Sequence, residues 1–147
     1  MPLSVKPDGN DMPLKYNDEQ RREYLNMTDR IGINWVGLFH GNTEFYSAVY
    51  WDLLTGIWRQ EEAVRKTDAM NFMKSVKSAH TAGKYIDNAL KQGILVEEGN
   101  PEDARSKLVM LSPRTRENLD TFFDLAVSEL RRSNHSVNVK GPSPEEP

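Results

Sequence analysis

The chain contains no cysteine, which excludes a disulfide framework, a thiolate metal site and a cysteine nucleophile. Histidine is scarce too. His40, His80 and His135 are scattered and offer no ligand spacing for structural zinc, so no metal or other cofactor is expected. No apolar run approaches the ~20 residues needed to span a bilayer, and the N-terminal MPLSVKPDGNDMPLKYN lacks the apolar centre of a signal peptide. The expectation is a cytoplasmic protein with no membrane partner. Also missing are G-x-S-x-G, a Gly-rich phosphate loop, H-E-x-x-H and any Cys-His pair, so no enzymatic activity is expected. The acidic pairs Glu61-Glu62 and Glu97-Glu98 are adjacent, cannot converge on one substrate by helical spacing, and read as solvated faces. There is no excess of positive charge: the net charge is −3, which argues against a protein that coats nucleic acid by bulk electrostatics. Any basic surface must be local.

What is present fits one domain with a single core. Residues 1–16 hold three prolines and few large side chains, and read as a flexible arm. Asn17 with Gln20 three residues on resembles a capping box, opening a helix to about Arg30. Its apolar stripe of Tyr24, Leu25 and Met27 or Thr28 is thin. Ile31 to His40 is apolar but too short for periodicity to separate helix, strand and buried connection; Trp35, Leu38 and Phe39 place it in a core or an interface. After Gly41-Asn42, Thr43 is positioned to cap a core helix to Arg65, with Phe45, Val49, Leu53 and Ile57 at i, i+4 spacing. Thr67 then caps a short helix over 68–76. A last helix is expected from Pro113 to Arg132, with Leu119, Phe122, Phe123, Ala126, Val127 and Leu130 on one broad face and residues 133–147 as a polar tail. The folded domain is therefore expected over 17–132. No internal repeat occurs.

The chain is organised around Ser78 to Pro113. Ser78 is a natural N-cap and Gly93 a natural helix stop. Between them Ala82, Tyr85, Ile86, Ala89 and Leu90 define a buried stripe, leaving His80, Thr81, Gly83, Lys84, Asp87, Asn88 and Lys91 for the other faces. After Gly93 the period changes: Ile94 to Val96 and Leu108 to Leu111 are apolar runs joined by a Gly-Asn-Pro turn and a charged tip, which makes a hairpin. A short helix, a tight turn at Val76-Lys77-Ser78, a second helix and a hairpin form a winged helix-turn-helix. The fold class expected is mainly α with a small β-hairpin.

This segment resembles the reading helix and wing of the MarR family of bacterial transcription regulators. The family's wing pattern, D-P-x-D-R-R-x-K followed by alternating hydrophobics and L-T-P, corresponds here to Asn100, Pro101, Glu102, Asp103, Ala104, Arg105, Ser106 and Lys107, then Leu111, Ser112 and Pro113. Asn100 stands where aspartate is usual and Ala104 where arginine is usual. The likeness is most specific over about a quarter of the chain and extends in helix order over Thr43 to Arg132. It implies N- and C-terminal dimerisation helices, a homodimer, and double-stranded DNA as the partner, read at a pseudo-palindromic operator. It also implies a small-molecule effector between the dimerisation helices and the reading lobe. No residue identifies that ligand, and the absence of cysteine excludes thiol-based oxidant sensing. Trp35, Trp51 and Trp58 are core or pocket residues.

The expected DNA contacts are Ser78, His80, Thr81, Gly83, Lys84 and Asn88 on the reading helix, with Arg105 and Lys107 on the wing. Lysine donates to guanine O6 and N7, asparagine pairs with adenine, and histidine donates to either acceptor. Gly83 permits close approach, or is simply a weak helix position. Arg105 suits the minor groove and Lys107 a phosphate, with Arg114 or Arg116 nearby; the plainer reading pairs Arg105 with Asp103 on the surface. The rival function is a winged helix used for protein–protein contact without DNA.

Overall fold

The computed structural model describes residues 13–143. Most of the expected arm, residues 1–12, and the chain end, 144–147, lie outside the described residues. Asn17 opens α1 (Asp18–Gly37) through the capping box: its Oδ1 accepts from the Gln20 amide at 2.9 Å while its own amide donates to Gln20 Oε1 at 3.0 Å. The helix continues past Arg30, so Ile31 to His40 is helix and then turn. Trp35, near the end of α1, and Phe39, in the turn that follows it, both enter the core. The chain reverses where His40 and Gly41 take φ of 50° and 87°.

Thr43 does not cap one long helix. Asn42 caps a single 3-10 turn over Thr43–Tyr46, and Ser47, extended at ψ 158°, starts α2 (Ala48–Trp58) by accepting from the Tyr50 amide at 3.3 Å. A hydroxyl that satisfies an orphan helix amide here outweighs helix continuity. α2 stops short of Arg65. Adjacent Glu61 and Glu62 would face the negative end of the helix dipole, and Val64–Arg65 joins a sheet as β1. α3 (Lys66–Phe72) starts one residue before the expected cap, Thr67, with no side-chain cap at Arg65. It lies close to α2, since a Cβ on Gly56 would stand 2.7 Å from the Phe72 ring.

α4 (Ala79–Lys91) is capped by Ser78 as expected, and Gly93, at φ 76°, ends it in the left-handed region. The hairpin pairs β2 (Leu95–Gly99) with β3 (Lys107–Leu111), from Leu95↔Leu111 to Gly99↔Lys107. β1 adds to the other edge of β3 through Val64↔Val109, so the sheet is three-stranded and antiparallel in the order β1-β3-β2. β1 is too short to show a period in sequence.

Ser112 caps α5 (Pro113–Lys140), which extends beyond the expected end at Arg132. Residues 133–140 carry little apolar surface, and α1 holds them instead. Gln20 Nε2 donates to the carbonyls of Val137 and Pro142, each at 3.0 Å, and Asn17 Nδ2 donates to Lys140 O at 2.9 Å. The residues that cap the start of α1 thus also satisfy the carbonyl end of α5, and the two helices lie antiparallel. The core centres on Leu53, Leu54, Ala69, Ile86, Ala89 and Val109, all fully buried. Trp35 joins α1, α2 and α5 by edge-on contacts with Trp51 at 4.9 Å and Phe122 at 5.4 Å.

Candidate nucleic-acid interface

α4 buries Ala82, Ile86 and Ala89 and half-buries Tyr85 and Leu90, so the expected stripe packs inward. Ser78 Oγ accepts from the Thr81 amide at 3.3 Å, which fixes the first turn and commits that oxygen to the cap. His80, Thr81 and Lys84 are exposed. Gly83 sits among them, and a Cβ built there meets nothing within 4 Å. Packing therefore gives no reason for a glycine at that position.

The other expected contacts differ in how free they are. Asn88 is half-buried, and its Nδ2 donates to Glu44 Oε2 and to the Tyr50 hydroxyl, each at 3.1 Å. Its donors are engaged by the scaffold. Tyr50 in turn donates to the Tyr85 carbonyl at 2.9 Å. Burial pushes the Tyr50 phenol pKa up, the Asn88 bond offsets part of that rise, and the Glu44 charge adds to it, so the phenol remains a neutral donor. Thr81, Lys84 and Asn88 line one shallow cleft with Glu44, Ser47, Tyr50 and Tyr85. Asp87 is tied to Lys66 of α3 at 2.5 Å.

On the wing, Asn100 Oδ1 accepts from the Glu102 amide and Asp103 Oδ1 from the Arg105 amide, both at 3.0 Å. Asparagine at 100 thus makes the short-range turn bond for which aspartate also serves. Arg105 is 95% exposed and stands 3.8 Å from Asp103, a loose pair that leaves the guanidinium in solvent. Lys107 is exposed as well. Arg116 is committed elsewhere, over the Trp58 ring at 5.1 Å and beside Asp120 at 3.4 Å, whereas Arg114 is exposed. Trp58 donates to Asp120 at 2.8 Å and Trp35 is buried, so these two tryptophans serve packing.

Lys74 and Lys77 lie outside the contact set expected from the sequence. Both are exposed in the turn between α3 and α4. Among the described residues neither they nor His80, Lys84 and Lys91 form an ion pair. The excess of lysine over Lys74 to Lys91 was the available signal. Among the described residues no group of His, Asp or Glu is placed to hold a metal ion, and no helix is long and apolar enough to cross a membrane.

Solved structures share this arrangement of helices and wing. A mutant of the S. aureus protein MepR bound to an oligodeoxyribonucleotide superposes with a TM-score of 0.61 at 14% identity, covering 84% of each chain. The fold is that of the MarR-type winged-helix regulators. A second MepR mutant, from a multidrug-resistant S. aureus clinical isolate, gives a TM-score of 0.57 at 13% identity over 85% of this chain and 84% of that one. A transcriptional regulator from Thermotoga maritima gives 0.55 at 12% identity over 82% and 81%. No protein-family model matches the sequence, and a search of curated proteins finds no match. In that fold α4 occupies the position of the second helix of the helix-turn-helix, β2 and β3 that of the wing, and α1 and α5 are the outer helices.

Proposed function

We propose that this chain is a sequence-specific DNA-binding regulator of transcription. It acts as a homodimer on a pseudo-palindromic operator whose half-sites lie about one helical turn apart. The observation that carries this reading is the outward face of α4. His80, Thr81 and Lys84 are exposed around a glycine with open space above it, as a helix entering a major groove requires. Arg105 on the wing suits the minor groove, and Lys107 beside it, with Lys74 and Lys77 in the turn before α4, adds cations that grip flanking phosphates. Asn88 contributes less directly, because its amide is held from behind by Glu44 and Tyr50.

The homodimer is supported by apolar surface on the outer helices. Ile33 on α1 is 67% exposed, and on α5 Val127 and Leu130 are 55% and 56% exposed. A small-molecule effector remains part of the reading without an assigned site.

Fluorescence anisotropy of a labelled mixed-sequence duplex, titrated at several salt concentrations, tests the proposal. A regulator binds with log K falling steeply against log salt. No binding at low salt would refute the DNA role and favour a winged helix used for protein contact.

A further inference from the structure

Beyond the residues expected to touch DNA, the cleft beside α4 carries an acidic side chain, Glu44. Glu44 belongs to the 3-10 turn ahead of α2, outside the two helices of the helix-turn-helix. Its Oε2 accepts from Asn88 Nδ2 at 3.1 Å, while Oε1 has no hydrogen-bond partner among the described residues. Asn88 is itself anchored to the Tyr50 hydroxyl at 3.1 Å, and Tyr50 to the α4 backbone at Tyr85 O. That bond ties the exposed carboxylate to α4. Lys84 and Thr81 line the same cleft, so DNA entering along α4 meets this charge together with the lysine.

We propose that Glu44 is a specificity-determining residue, which disfavours sequence-independent binding and leaves the correct site comparatively favoured. The inference rests on the DNA-reading role argued above. A carboxylate accepts hydrogen bonds and donates none. It repels every phosphate, yet it can accept from the exocyclic amino group of a cytosine. Binding to arbitrary DNA is dominated by phosphate contacts, so a carboxylate in the cleft that Lys84 also lines weakens it most. A register that brings a base amino group to Oε1 recovers the loss.

The test compares wild type with Glu44→Gln. Glutamine keeps an oxygen for the Asn88 amide and removes only the charge. Two readouts are used: anisotropy on a mixed-sequence duplex across salt concentrations, and selection from a random duplex library. The variant is expected to bind the mixed duplex about tenfold more tightly, with a salt slope steeper by about 1, and to enrich a less sharply defined sequence. If wild type enriches a sequence and the variant matches it in affinity and enrichment, the assignment of Glu44 is wrong. Equal weakening of the variant on all duplexes would make Glu44 a positioning residue only, and would also overturn the proposal. If wild type enriches no sequence at all, the DNA-reading role itself fails.

Discussion

The Tyr50 phenol, 2% exposed, donates a hydrogen bond of 2.9 Å to the main-chain carbonyl of Tyr85. This bond fixes α4 to the core helix α2. Tyr50→Phe keeps the ring in place and removes the hydroxyl, leaving Asn88 without one acceptor. The variant is expected to lose about 1 kcal/mol of stability, read as a lower midpoint of urea unfolding. An unchanged midpoint would show that the bond contributes nothing net.

Two glycines near α4 are expected to respond with opposite sign. Gly93 has a φ of 76° and no neighbour that a Cβ would strike, so Gly93→Ala costs about 1 kcal/mol from backbone conformation alone. Gly83 lies within the helix with open space beside it, so Gly83→Ala stabilises the fold by up to about 1 kcal/mol. The larger Gly83→Leu is expected to remain folded and to weaken DNA binding about tenfold or more, by blocking close approach to the groove. Thermal unfolding and anisotropy together separate the two effects.

The contact between α1 and α5 is expected to weaken in acid through Glu129. Glu129 accepts from Arg132 at 2.7 Å and from Arg30 at 2.6 Å, and these guanidinium partners, Arg132 foremost, hold its carboxyl below the ordinary glutamate range. A carboxylate whose native pKa is lowered contributes in full above its unfolded pKa, about 4.3, and loses that contribution as pH falls through the native value. Unfolding midpoints measured from about pH 7 to about pH 3 should therefore fall more steeply for wild type than for Glu129→Gln. Parallel curves would remove Glu129 from the acid response.

The exposed apolar residues of α5 are expected to lie between subunits. Val127→Glu together with Leu130→Glu should convert a dimer to a single chain in sedimentation equilibrium and leave the circular dichroism of the folded chain unchanged. A wild-type chain that sediments as a monomer at all concentrations would contradict the homodimer.

The features legible in sequence are those set by local chemistry. Ser78 and Gly93 bound α4 as read, Asn17 and Gln20 form their capping box, and the apolar runs around Asn100-Pro101 pair as a hairpin. What escaped was decided by residues distant in the chain. Val64–Arg65 becomes a strand only because the β3 edge is available. The polar end of α5 is helical because Asn17 and Gln20 reach its carbonyls. The break at Ser47 is local, yet it was masked by an apolar period that runs through it. At the candidate site nothing in the local sequence signals that Glu44 engages Asn88, since they come together only when the turn ahead of α2 packs beside α4. The exposure of Lys84 and Arg105, in contrast, was expected from their places on the helix and the wing.

On the proposed reading α4 and the wing grip DNA together. The most direct measurement is the affinity of a chain carrying both Lys84→Met and Arg105→Met for a mixed-sequence duplex, followed by anisotropy at low salt beside wild type. Both side chains are exposed, so the fold should persist and binding should be lost. Full wild-type affinity in the folded double variant would show that DNA is not held by this face.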